Sequence, residues 1–251
     1  MPKTCSERAA PETTRVVLHG PTMGTRWSAT CELAPQIDAR ALQRDLAATV
    51  ERVDAQMSPW RSDSCLVQLN QAPVGAWFAL TTEMLQILAC ALDIGRLSQG
   101  AFDIGVGALV DAWGFGAARS APDASAIRAA RALAHGPAHE TLELDLHAGR
   151  ARKLAPVQID LCGIAKGYAV DRMAEVLQHH GVAQALAALD GELRAIGGQA
   201  DGRPWAVAIE SPQTGLRRAH GVLALQDLAV ATSISVTTLP HRADVAGATT
   251  E

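Results

Sequence analysis

Between Ile159 and Arg172 the chain reads IDLCGIAKGYAVDR, and no other stretch is better placed for chemistry. An apolar run of β character ends in an acid, Asp160. The small-residue segment Gly163-Ile164-Ala165-Lys166-Gly167 follows and leads into an amphipathic helix predicted over 165–180. An acid, backbone N–H groups and an ammonium gathered at a helix N-terminus suit an anionic ligand, because that end of a helix favours negative charge. The spacing is not that of a P-loop, which needs four residues between a Gly and a following Gly-Lys-Ser/Thr. The residues read as an anion or phosphate site of open type, or as a plain structural turn.

Other segments carry weaker signals. GAFDIGVGALVDAWGFG, from Gly100 to Gly116, mixes glycines, which admit a close backbone approach, with aromatics that could wall a ring pocket. It reads equally as an irregular loop anchored by its aromatics. Its Gly-Val-Gly lacks the third glycine of a dinucleotide fingerprint. Trp60, between Pro59 and Arg61, could stack on a heteroaromatic ring with Arg61 near phosphate, or simply cover a loop. Met23-Gly24-Thr25 offers an apolar contact and donors, and Asp190-Gly191-Glu192 reads as a hairpin turn. The eight histidines show no metal-ligand spacing, and no Gly-x-Ser-x-Gly elbow occurs.

The elements that must position these residues follow from periodicity. Strands are predicted at 15–19 and 26–33, around the turn 20–25. Apolar residues at Leu42, Leu46, Val50, Val53 and Met57 predict a helix with one buried stripe. A loop is expected from Ser58 to Asn70. Helices are predicted over 81–97, with Thr81 or Thr82 as N-cap, and over 123–133, with an Asp cap. Strands are expected at 142–146 and 157–161, and Gly181 should end the helix that starts at 165. Apolar runs at 184–189, 192–197, 205–210 and 221–232 complete the pattern. Helices early and strands late favour a mixed α+β domain, without internal repeats.

Composition sets the outer bounds. At 251 residues the chain can bury a full core, and its formal charge of −4 is spread without a basic patch, so no nucleic-acid face is expected. No apolar run reaches the roughly 18 residues that span a bilayer. Cys5, Cys31, Cys65, Cys90 and Cys162 are widely spaced, with no CxxC pair, and most read as buried small hydrophobes in a reducing compartment. Residues 1–14 read as a disordered lead-in without the apolar core of a leader, so the chain as written is expected to be cytoplasmic.

Singly these signals are weak, but their order is specific. MGT at 23–25, MSPWRSDSCLVQLN at 57–70, GAFDIGVGALVDAWGFG, IDLCGIAKGYAVDR, and DGELRAIGGQADGRPWAVAIESP at 190–212 together resemble the ApbE family over roughly residues 16 to 233. The resemblance implies a single α+β domain at 15–233 with a mixed or antiparallel sheet and packed helices. It implies transfer of the FMN half of FAD to a Thr or Ser hydroxyl of a target flavoprotein, with loss of AMP and help from Mg2+. Typical targets would be subunits of redox-driven ion pumps and related respiratory complexes, and many members are exported or lipid-anchored. Position by position, Met23 and Trp60 match flavin- and adenine-contacting residues; Ala101, Phe102 and Asp103 match the FAD-binding segment. Asp160 and Lys166 match cofactor contacts, and Gly163 matches a position that offers a backbone oxygen to the metal.

Two departures qualify the match. Asp190 stands where the family usually has Gly. After Ala231-Thr232-Ser233, members normally continue into a His-x-x-Asp-Pro stretch and then place an Asp and, four residues on, a Thr as metal ligands. Here the chain continues ISVTTLPHRADVAGATTE and ends. Truncation, with 234–251 as an aberrant tail and the last elements of the domain missing, is the favoured reading. An internal deletion is the alternative, in which Asp244 echoes the metal-ligand Asp and Thr249 falls five residues later. The expectation is a flavin transferase by descent whose activity is impaired, with a non-catalytic FAD-binding protein or an inactive fragment as the competing readings.

Overall fold

In the computed structural model, residues 12–116, 121–132, 136–211 and 218–232 are described. The chain opens with a long antiparallel hairpin of β1 (Thr14–Thr22) and β2 (Thr25–Leu33). Gly20 faces Trp27 across it, and a Cβ on Gly20 would fall 2.7 Å from the indole nitrogen. Only glycine therefore lets the almost fully buried Trp27 lie flat against its neighbour strand.

Helix α1 (Ala39–Met57) is capped by Asp38, whose carboxylate accepts from the N–H groups of Arg40 and Ala41. Its predicted stripe of Leu42, Leu46, Val50, Val53 and Met57 is buried. The expected loop from Ser58 to Asn70 instead contains a helix, α2 (Cys65–Gln71). Buried Ser64 starts it by accepting from the Val67 N–H and donating to the Ser58 carbonyl.

After the short strand β3 (Phe78–Ala79), α3 (Thr82–Leu97) begins at the expected cap, Thr81. The glycine-rich segment holds a six-residue helix, α4 (Gly107–Ala112), and α5 (Ala124–Ala132) starts from the Asp123 carboxylate. The single turn α6 (Ala138–Thr141) leads into β4 (Leu142–Asp145), which pairs with β5 (Arg150–Lys153). Sequence RARK shows no apolar alternation. Its strand is tied across the ladder by Arg152 to Glu143 at 2.7 Å and Arg150 to Asp145 at 3.0 Å.

No strand forms at 157–161; residues there make one isolated parallel bridge, Val106 to Gln158. Helix α7 (Cys162–His179) starts three residues earlier than its pattern suggests, so Gly163 to Lys166 form its first turn rather than a loop before it. Gly181 follows at φ +78°, as expected for the residue after a helix. The late strands are β6 (Ala185–Leu189), β7 (Glu192–Ile196), β8 (Trp205–Glu210), β9 (Ala219–Leu225) and β10 (Ala229–Val230).

Five strands make the main sheet in the order β1-β2-β6-β7-β10, with every pair antiparallel. Strands β3-β5-β4 form a second small sheet and β8-β9 a hairpin. Helices α1 and α7 pack on each other and on the main sheet, and the principal core lies between these layers. A satellite core of Ala195, Trp205 and Leu225 lies under the hairpin. Among the cysteines described, Cys31 is buried, Cys65 and Cys162 are half-buried and Cys90 is exposed. None of the described helices is long and apolar enough to cross a membrane.

Candidate active site

The glycine-rich segment and the start of α7 meet because their backbones bond. The Asp160 N–H donates to the Ile104 carbonyl at 2.8 Å, and the Gly107 N–H donates to the Gln158 carbonyl at 2.9 Å. A Cβ on Gly107 would lie 2.7 Å from that carbonyl oxygen, so this approach requires glycine. The Asp103 carboxylate fastens the same segment, accepting from the Gly105 N–H at 2.8 Å and the Ala138 N–H at 2.9 Å.

Asn70, the last residue of α2 but one, sets the height of residue 159. Its side-chain amide donates to the Ile159 carbonyl at 2.8 Å, and its Oδ1 accepts from the Ile159 N–H at 2.8 Å. Neither spacing nor residue type singled Asn70 out. The available signal was its place at the end of the motif that contains Trp60.

Trp60, Ala101, Phe102, Asp103, Asp160 and Gly163 share the wall of one cavity of about 530 Å³. Phe115 contributes a further aromatic ring. Trp60 is 44% exposed at the mouth, and its backbone N–H donates to the Ser58 hydroxyl at 3.3 Å. Arg61, expected near phosphate, is instead bound by acids, with Glu51 at 2.5 Å and Asp54 at 3.5 Å on α1. Those acids outcompete a distant ligand for a charge that sits beside them.

The floor of the cavity is the N-terminus of α7. Its capping residue, Leu161, offers no side-chain acceptor, and the Asp160 carboxylate takes the Cys162 N–H at 2.8 Å. A Cβ on Gly163 would come to 3.3 Å from the Phe102 ring, so the ring rests against the helix start with no side chain between. Cys162 is no nucleophile here: burial, then the neighbouring charge and hydrogen bond of Asp160, push its thiol up to about 12.

Lys166 lies one turn further along α7 and its ammonium is ion-paired with Asp190 in the β6–β7 turn. Burial pulls the ammonium down, but the hydrogen bond and charge of Asp190, then Glu192 and Cys162, outweigh it and hold the pKa above the ordinary lysine value. Asp190 adopts φ +60°, in the left-handed region where glycine is favoured. Met23, at φ +44° in the β1–β2 turn, packs against the principal core and does not line the cavity. Asp244 and Thr249 lie outside the described residues. Among the described residues, no three His, Cys, Asp or Glu side chains converge so as to hold a metal ion.

The arrangement is an aromatic-walled cavity that ends on a helix N-terminus, with a lysine one turn away. It suits a ligand that joins a flat ring to a phosphate.

The sequence profile described as ApbE family matches residues 23–237. The FAD:protein FMN transferase of Vibrio cholerae is 36% identical over 224 residues, 87% of this chain and 66% of that protein. Its Klebsiella pneumoniae counterpart is 34% identical over 226 residues, 88% of this chain and 63% of that one. The chain thus spans less than two thirds of the length of these relatives. Among solved structures, the flavin transferase ApbE from Vibrio cholerae superposes with a TM-score of 0.79 at 35% identity, covering 88% of this chain and 72% of that one. The apo flavinyl transferase ApbE of Pseudomonas stutzeri gives 0.76 at 31% identity, covering 88% and 71%.

Proposed function

The chain belongs to the ApbE family, and on that premise we propose that it is an FAD:protein FMN transferase acting on a hydroxyl of a target flavoprotein. What supports this reading most directly is the single cavity shared by Trp60, Phe102, Asp160 and Gly163 at the head of α7.

In this reading FAD is the substrate. Phe102 and Trp60 offer aromatic faces to its rings, and the first-turn N–H groups of α7 receive the diphosphate. Lys166 leaves Asp190 and turns to the phosphate oxygens. Ala101 and Asp103 keep the glycine-rich segment against the ligand, whereas Met23, which lies outside this cavity, is a flavin contact by the resemblance alone. A Thr or Ser hydroxyl of the acceptor gives up its proton to solvent and bonds to the FMN phosphorus, the phosphorus–oxygen bond to the AMP half breaks, and AMP leaves. Such a transfer depends on positioning and charge neutralisation more than on a strong nucleophile.

Mg2+, if bound, would supply further charge neutralisation. The resemblance assigns it to the Gly163 carbonyl and a late acid such as Asp244. Asp244 lies outside the described residues. The acceptor proposed is a flavoprotein subunit of a redox-driven ion pump or related respiratory complex.

The test is incubation of the purified chain with FAD, Mg2+ and a flavoprotein acceptor. Release of AMP with covalently flavinylated acceptor is expected. Tight FAD binding without AMP would replace this reading by a flavin-holding protein, and absence of FAD binding would overturn both.

A further inference from the structure

A second cavity, of about 690 Å³, adjoins the first and shares its wall at Asp103, Val106 and Asp160. It opens between α2, α4 and β5, and its lining is mainly apolar, including Val67, Val74 and Leu109. Lys153 stands in that wall, only 6% exposed.

A buried ammonium costs free energy unless it is paired. Lys153 donates to one acceptor, the Asn70 carbonyl at 2.5 Å, and forms no ion pair among the described residues. An ammonium has three donors, so one bond leaves its capacity largely unused. The acids that share the cavity are already engaged. Asp103 holds the Gly105 and Ala138 N–H groups, Asp160 holds the Cys162 N–H, and Asp111 accepts from the Gln158 amide at 2.7 Å. The Asn70 side chain cannot turn to help, because Ile159 occupies both of its ends.

The lysine is also held still. Its main chain pairs with Leu142 in β4, and its carbonyl accepts from the Gly75 N–H at 2.8 Å. Burial alone lowers its pKa, in keeping with a cation that lacks a counter-charge.

We infer that this second cavity is a ligand site for a carboxylate with an apolar body, anchored on Lys153. A single ammonium matches a single negative charge. Three aspartates in the wall disfavour a dianionic phosphate. The volume lies within the usual range of small-molecule pockets. The same carboxylate chemistry is offered by a free organic acid and by an acidic side chain of a bound polypeptide. The assignment does not depend on flavin transfer, since it concerns a different cavity.

The experiment titrates the full chain, without FAD, with hexanoate, hexanol and hexylamine, followed by ligand-observed NMR. Hexanoate is expected to bind about ten-fold or more tightly than hexanol, the scale of one charge-assisted hydrogen bond, and hexylamine most weakly. Lys153→Met should abolish that preference and Lys153→Arg should keep most of it, with thermal melts confirming that both fold. The wild-type ranking decides the matter even if a variant fails to fold. Equal binding of hexanoate and hexanol, or a preference that survives Lys153→Met, overturns the assignment. A capped peptide with one glutamate displaces hexanoate if a polypeptide is the source. Hexanoate bound unchanged beside that peptide assigns the site to a free acid.

Discussion

Asn70 holds Ile159 by both of its backbone groups, across 89 positions of sequence. The clamp fixes the residue immediately before Asp160, so the two cavities share one rigid strut.

Replacing Asn70 by Ala should therefore cost about 2–3 kcal/mol, because it strips partners from two polar groups of a residue that is 1% exposed. Urea denaturation measures the loss. FAD affinity should fall in parallel, since Asp160 and the α7 terminus lose their reference point. A change below about 0.5 kcal/mol would show that water replaces the clamp without cost.

Gly163→Ala separates binding from stability. The added methyl crowds the Phe102 ring at 3.3 Å, and FAD affinity should drop about five-fold, equivalent to about 1 kcal/mol. Global stability should stay level or rise by up to about 1 kcal/mol, because alanine is the better helix former. Flavin fluorescence titration and thermal melts report the two effects independently.

Asp190→Asn releases the Lys166 ammonium. At neutral pH the variant should bind ADP two- to three-fold more tightly, because the diphosphate no longer competes with a carboxylate for that ammonium. The sign of the pH effect follows from the raised lysine pKa. The pair's contribution to stability is complete below the ordinary lysine value of 10.5 and is lost as pH rises through the higher folded value. Alkaline melts of wild type and Asp190→Asn should converge above that range.

Ser64→Ala removes an N-cap acceptor and a donor from a fully buried site, and a loss of about 1–2 kcal/mol is expected. Because Ser58, its acceptor, also holds the Trp60 N–H, limited proteolysis should cut the 58–64 loop faster in the variant.

How much of this was legible depends on the scale of the signal. The stripe of α1, the caps Thr81 and Asp123, and the strands β1, β2, β6 and β7 follow from local periodicity and local hydrogen bonds. β5 escaped because cross-strand ion pairs, rather than apolar alternation, hold RARK in its ladder. The early start of α7 escaped because the glycines of its first turn argue against a helix, whereas Asp160 and the Phe102 contact make it one. Of the residues singled out, Trp60, Ala101, Phe102, Asp103, Asp160 and Gly163 meet in one cavity. The partnership of Arg61 with α1 and the buried isolation of Lys153 depend on tertiary neighbours that no spacing encodes.

The bridge between Val106 and Gln158 has a kinetic consequence. It joins stretches separated by α4, α5, α6 and the β4–β5 hairpin, so closing it costs the entropy of a long loop that local structure repays only partly. The pocket walls should accordingly dock late, after the hairpins and helices have formed. Ligand that binds only the docked state would then slow unfolding of this junction and leave the rate at which the β1–β2 hairpin first forms unchanged.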